Sequence, residues 1–344
     1  MSATIGKNDI KLSVFGRGFE DERTDSGTGE SAPDEILNFP IYHACFDNTG
    51  AYCWLVINNV GLVKYETENW TDVGQSAVPT DPTVWTVLTH PTNVENNLGV
   101  AVVNDTTAYV FDLTNDAVVA EIPFTGHASW GDTYDCIKVG DKIHFIQLTK
   151  NNTNNHPLIT LDLTNLTCSF VNLSGSSDDG FINDSLLYKV YTREWFYQTS
   201  TAYGVRLDGS IDWQTTGINR NDDVDQWGFG TNGRLILPVK AYGAWRFGIF
   251  DGATAPVLVP PKPAKTFGRF KNMPDPYYAY GFPWGLAYAD GRDKICVMTS
   301  EGLLYTDLNE VIKLETEFRK PLSMRNGKVI CTDYTNSKGY IYGY

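Results

Sequence analysis

The chain has 344 residues, with nine Trp, nineteen Tyr and thirty-one Gly scattered along it. That mixture suits many short strands and tight turns and argues against a helical protein. A formal net charge of −14 repels phosphate backbones and anionic membrane surfaces, which excludes general nucleic-acid binding.

In chain order, the first predicted element is a strand, IKLSVFG (10–16). An acidic, small-residue segment follows at 17–36, RGFEDERTDSGTGESAPDEI, and reads as a solvated linker. Beyond it a weak repeat begins. An apolar strand ends in an acidic residue, followed by a polar turn and another short strand. The anchors are Glu66, Asp112, Asp162, Asp208, Asp251 and Asp307, with Tyr342 at the matching position of the last copy. Their separations are 46, 50, 46, 43, 56 and 35 residues. Upstream of each anchor lies an apolar β run: 51–58, 97–104, 141–148, 194–200, 234–241, 293–300 and 327–334. Before each of those lies another: 41–46, 84–90, 134–140, 185–191, 225–230, 282–289 and 320–326. The runs are short, β-branched and aromatic, and bounded by Gly, Asp and Asn. They are too apolar for strands exposed on one face, so they are expected to be covered on both.

A period of 40–50 residues built from four short strands resembles the β-propellers. The resemblance spans nearly the whole chain and implies one all-β domain, residues 1–344. Seven blades are expected, with six as the alternative if one segment is an excursion. The last blade lacks a fourth strand, and pairing 10–16 with 340–344 would remove two open sheet edges. The WD dipeptides of WD40 repeats and the Gly-Gly doublets of kelch repeats are missing, so no named propeller family is assigned.

Residues 255–283, APVLVPPKPAKTFGRFKNMPDPYYAYGFP, interrupt the repeat and read as an insertion loop, since the prolines preclude helix or central strand. Lys262, Lys265, Arg269 and Lys271 concentrate positive charge there, and Phe267, Phe270, Tyr277, Tyr278 and Tyr280 add aromatic surface. Arg and aromatic side chains are common anchors of binding surfaces, which makes this the candidate contact loop. The carboxylates of 217–229 (Asp222, Asp223 and Asp225) and of 174–184 read as hydrated loops, because they lack the spacing of a calcium loop.

Catalytic and cofactor motifs are absent from the sequence. His43, His90, His127, His144 and His156 have no metal-ligand spacing, and His43 and His144 read as core residues within strands. Cys45, Cys53, Cys136, Cys168, Cys296 and Cys331 form no C-x-x-C pair and read as small buried hydrophobes, with a Cys45–Cys53 bridge across a hairpin left open. No phosphate loop, nucleophile elbow or dinucleotide fingerprint occurs. No cofactor or metal is therefore expected. Six N-x-[ST] sequons, at Asn69, Asn104, Asn151, Asn165, Asn172 and Asn183, follow from the Asn and Thr content. The N-terminal residues show no signal-peptide pattern, so synthesis in the cytoplasm is expected.

The expected function is non-enzymatic: binding and assembly with protein partners. The Asn-, Thr-, Asp-, Gly- and Tyr-rich composition resembles virion subunits of phage tail or neck type. Two alternatives stay open. One is a carbohydrate-binding propeller that stacks sugars on Trp70, Trp213 or Trp245. The other is a glycoside hydrolase with Asp132, Asp135 or Asp225 at a central channel.

Overall fold

The computed structural model describes residues 32–80, 86–89, 97–124, 136–146, 157–172, 186–190, 193–198, 201–206, 208, 211–215, 229–231, 234–241, 244–250, 257–259, 278–279, 282–283, 286–288, 294–299, 302–306, 311–315, 317, 319–333 and 335–344. The strands between 186 and 288 are described by their backbone. Among the described residues every regular element is a strand.

A short strand, β1 (Glu35–Leu37), comes first. Six antiparallel four-stranded sheets then form from consecutive strands. Sheet 1 holds β2 (Ile41–Phe46), β3 (Tyr52–Ile57), β4 (Gly61–Glu66) and β5 (Thr71–Gln75). Sheet 2 holds β6 (Thr86–Thr89), β7 (Leu98–Val103), β8 (Thr107–Asp112) and β9 (Val118–Pro123). Sheet 3 holds β10 (Cys136–Val139), β11 (Lys142–Ile146), β12 (Pro157–Asp162) and β13 (Thr167–Asn172). Sheet 4 holds β14 (Leu186–Val190), β15 (Arg193–Gln198), β16 (Thr201–Arg206) and β17 (Ile211–Thr215). Sheet 5 holds β18 (Phe229–Thr231), β19 (Arg234–Ala241), β20 (Ala244–Phe250) and β21 (Val257–Val259). A hairpin of β22 (Tyr278–Ala279) and β23 (Phe282–Pro283) precedes sheet 6, which holds β24 (Leu286–Tyr288), β25 (Ile295–Thr299), β26 (Gly302–Thr306) and β27 (Val311–Glu315).

Sheet 7 holds only three consecutive strands, β28 (Lys320–Arg325), β29 (Lys328–Asp333) and β30 (Lys338–Gly343). Its fourth strand is β1, antiparallel to β30, with Glu35 opposite Ile341 and Leu37 opposite Gly339. The sequence assigned this edge to residues 10–16, which lie outside the described residues; Glu35–Leu37, read as the end of the acidic linker, occupies it instead. The physical reason is local. Leu37 is four residues before Ile41, and both enter one apolar cluster with Ile330 and Ile341. Two other boundaries also shift. Residues 257–259 of the expected insertion are the outer strand of sheet 5, and the expected strand 282–289 divides between β23 and β24.

In sheets 1, 2 and 7 the apolar middle strands are buried on both faces because each lies between two sheets. Successive side chains of a strand point to opposite faces. In β3, Cys53, Leu55 and Ile57 join the cluster shared with sheet 7, while Trp54 and Val56 join the cluster shared with sheet 2. In β7, Ala101 and Val103 face sheet 1, and Val100 and Val102 face sheet 3. In β29, Val329 and Cys331 face sheet 6, while Ile330 faces sheet 1. Sheets 6, 7, 1, 2 and 3 thus pack face to face in that order. The same parity corrects the open disulfide. Cys45 belongs with Trp54 and Cys53 with Leu55, so the two thiols point to opposite faces of sheet 1, and no disulfide joins them.

Among the described residues Trp54 is the largest fully buried side chain. Its ring meets Phe111 edge-on at 5.1 Å and 77°, and its Nε1–H donates to the Leu113 carbonyl at 3.0 Å. A buried indole needs such a partner for its N–H. Burial fades outward: the pattern along β5 is exposed at four of five positions, and Val118 and Val119 of β9 are both exposed.

Candidate interaction surface

Three acidic anchors of the repeat, Glu66, Asp112 and Asp162, organise turns. Glu66 Oε1 and Oε2 accept the backbone N–H groups of Glu68 and Asn69 at 2.6 and 3.1 Å. Asp112 Oδ1 accepts those of Thr114 and Asn115 at 2.8 and 2.7 Å, and Asp162 Oδ1 those of Thr164 and Asn165 at 3.0 and 2.8 Å. These bonds hold the Asp162 carboxyl below its ordinary value, with Asn165 the main contributor. The fifth residue of each turn is left-handed: Trp70 at φ 50°, Asp116 at 57° and Leu166 at 54°. The sequence missed a fourth copy, in which Asp333 Oδ1 accepts from Thr335 and Asn336 at 2.9 and 3.0 Å and Ser337 has φ 54°. Its signal is DYTN (333–336), matching DLTN at 112–115 and 162–165, but it joins the second and third strands of its sheet rather than the third and fourth.

Two of these turns, 66–70 and 112–116, also bond to a neighbouring sheet. Lys64 Nζ donates to the Thr114 carbonyl, and Lys328 Nζ to that of Thr67. Ser76 Oγ and the Ala77 N–H donate to the two Asp116 oxygens, both at 2.7 Å. Between sheets 7 and 1, Arg325 Nη1 donates to the Asp47 carbonyl at 3.0 Å and the Ile41 N–H to Thr332 Oγ1 at 3.2 Å. These carboxylates and cations therefore hold turns and sheets in place.

Other expectations resolve as follows. His43 and His144 are buried in β2 and β11, with His144 Nδ1 2.9 Å from Thr160 Oγ1. Trp70 is buried against Phe46, ring centroids 6.3 Å apart, so it offers no face for a sugar. Trp213 and Trp245 lie on β17 and β20. No cluster of metal-ligating side chains occurs among the described residues. Tyr278 falls on β22, whereas Lys262, Lys265, Arg269, Lys271, Tyr277 and Tyr280 lie outside the described residues, as do Asp132, Asp135, Asp222, Asp223 and Asp225. Buried Cys53, Cys296 and Cys331 thiols are pushed up by desolvation, which makes them inert packing groups.

One surface stands out. Of the eight large hydrophobic residues exposed among the described residues, five sit on β9, on β13 or on the turn before it: Val118, Val119, Leu166, Phe170 and Val171. The two strands are outer strands of adjacent sheets and lie against each other. Exposed apolar residues gathered on one stretch of perimeter mark an interaction surface more often than scattered ones do.

The sheet arrangement has close counterparts among solved structures. The beta-propeller domain of Myceliophteria thermophila Cps50 (Swd1) superposes with a TM-score of 0.59 at 10% identity, covering 91% of this chain and 99% of that one. This chain is a β-propeller. A chain of the mitotic checkpoint complex superposes equally, with a TM-score of 0.59 at 8% identity over 100% of this propeller and 98% of that chain. No protein-family model and no curated protein matches the sequence.

Proposed function

We propose that the chain forms one seven-bladed propeller, closed through β1, and acts as a non-catalytic docking module in a protein assembly. The apolar residues on the perimeter strands β9 and β13 carry this reading, because they give the rim a surface suited to protein. The face-to-face order of sheets 6, 7, 1, 2 and 3 and the β1–β30 pairing support a closed ring. The carboxylates of Asp112, Asp162 and Asp333 are engaged by their own turns, which supports a structural use of the acidic repeat. The basic and aromatic stretch carrying Lys262, Lys265, Arg269, Lys271, Tyr277, Tyr278 and Tyr280 is the second docking element in this reading, set apart by its charge in a protein of net −14. Composition favours a virion of phage tail or neck type as the setting. Mass spectrometry of gradient-purified particles from the source tests it. Recovery at a fixed ratio to the coat protein supports the virion setting; absence from particles in cells that express the chain sinks it.

A further inference from the structure

Strands β28 and β29 are joined by a loop of two residues, Asn326 and Gly327, with Arg325 opposite Lys328. Asn326 has φ 48° and Gly327 has φ 77°. Positive φ at both loop residues is the I′ hairpin turn, which Asn-Gly fits because glycine has no Cβ and asparagine tolerates the left-handed region. The turn explains the dipeptide but not the course of the Asn326 side chain. The residue is exposed, yet its Nδ2 donates to the Thr49 carbonyl in the β2–β3 hairpin of sheet 1. A glycine there makes the room: a Cβ added at Gly50 would lie 2.9 Å from Asn326 Cγ. Arg325 Nη1 donates to the Asp47 carbonyl of the same hairpin, and the Gly327 carbonyl accepts the Tyr344 N–H at 2.9 Å. The Asn326 amide is thus a strut between sheets 7 and 1.

Asn-Gly is also the pair whose side-chain amide is most open to attack from its own backbone, because glycine puts no side chain beside the attacking nitrogen. We propose that Asn326 is a deamidation site held closed by the contact between sheets 7 and 1, and that its reaction releases that contact permanently. The step is intramolecular. The Gly327 backbone nitrogen bonds to Asn326 Cγ, the Cγ–Nδ2 bond breaks, and the proton of that nitrogen leaves with Nδ2 as ammonia. Water then opens the five-membered imide on either side, which leaves an aspartyl or an isoaspartyl linkage. No oxidant or cofactor is consumed.

In the folded chain Nδ2 is tied to Thr49 and Cγ sits against Gly50, so the amide is held to sheet 1 and away from its own backbone. Imide formation needs that tie to break first, through a local opening of the junction. Reclosure does not restore it afterwards. A carboxylate has no hydrogen to donate, so it would set one acceptor against another at the Thr49 carbonyl. Its charge also arrives at a hairpin that already holds the buried Asp47. The isoaspartyl form adds a backbone carbon to a two-residue loop whose length the Arg325–Lys328 pairing fixes. Each opening that reaches the imide is therefore recorded as a lasting weakness between sheets 7 and 1.

The sequence carries one other Asn-Gly pair, Asn232–Gly233, which serves as an internal standard. The full chain is incubated in mildly alkaline buffer, folded or in guanidinium chloride, and peptides spanning each pair are followed by mass spectrometry. In denaturant the two pairs should convert at similar rates. In the folded chain Asn326 should convert at least about tenfold more slowly than in denaturant, since only the locally opened fraction reacts. Gly50→Ala drives a methyl into the Asn326 amide and should raise the folded-state rate; if its melt shows an unfolded chain, the other arms carry the test. Asn326→Asp should melt below the parent, with the gap narrowing in acid, where a protonated carboxyl can donate to Thr49 again. Equal rates in the folded and denatured chain overturn the proposal, as does no conversion at all in the folded chain. A folded Gly50→Ala chain with the parent's rate overturns it too, as does an Asn326→Asp gap that is absent or indifferent to acid.

Discussion

Arg319 and Asp333 form a buried ion pair, Nη1 to Oδ2 2.5 Å, with side chains 5% and 3% exposed. Arg319 Nη2 reaches Glu317 at 2.5 Å, and its guanidinium carbon lies 3.9 Å above the Tyr340 ring. Asp333 meanwhile accepts from Asn336 Nδ2 at 2.7 Å as well as from the backbone of its turn. Beside them the Tyr342 hydroxyl donates to Glu315 at 3.1 Å, and burial raises its pKa above the ordinary tyrosine value. Removing one partner of such a pair strands a buried charge. Arg319→Met is therefore expected to cost about 3–5 kcal/mol, read as a fall in the urea midpoint. A midpoint within error of the parent would show that the pair does not hold sheet 7.

The junction of the chain's two ends depends on a glycine. A Cβ added at Gly339 would lie 2.5 Å from Ile41 Cδ1 and 3.4 Å from Leu37 Cβ. Gly339→Ala should cost about 1–3 kcal/mol, the usual range for overpacking a filled core. Ile41→Val removes the clashing methyl, so the double variant should recover part of the loss in a double-mutant cycle. Strictly additive losses would place the strain elsewhere.

The β1–β30 pairing makes a sharp truncation test. Deletion through Leu37 removes β1 and leaves the β30 edge unpaired. Its melting temperature should fall well below that of a chain deleted only through residue 31. Equal melting of the two would show that β1 contributes nothing to the stability of sheet 7.

Asp105 provides the pH dependence. Asn104 and Asp105, at φ 51° and 53°, form the left-handed turn between β7 and β8. Asp105 Oδ1 is buried with no hydrogen-bond partner among the described residues, and desolvation raises the carboxyl above its ordinary value. The native state therefore holds that proton more tightly than the unfolded chain does. Stability from this group is full below the usual aspartate range and is lost as pH rises through the raised value. Asp105→Asn keeps a residue that tolerates the left-handed turn and removes the ionisation. It should melt higher than the parent at pH 7, with the gap closing on acidification. A gap that widens in acid would contradict the desolvation argument.

Much of this fold was legible in the sequence, for a physical reason. Strands buried on both faces need near-continuous apolar runs, so YCWLVI, LGVAVV and KVICTD announced the middle strands directly. Glu66, Asp112 and Asp162 marked the turns because a carboxylate at the end of a strand can hold the N–H groups two and three residues on. Strand β1 was not legible. Three residues carry no periodicity, and only the fit of Leu37 against Ile41 and Gly339 placed it. The Arg319–Asp333 pair was equally hidden, since the packing of sheet 7 brings the two residues together across fourteen positions.

For the candidate surface, composition picked out the charge and aromatics of 262–280, and β13 read as one more strand tail. Whether Phe170 and Val171 are core or surface depends on which strand lies at the perimeter and on what covers its faces. Side-chain pattern alone determined that this protein is built of repeated, doubly covered strands. Which strands lie at the perimeter was decided by tertiary structure, because that depends on the order in which strands pair within each sheet.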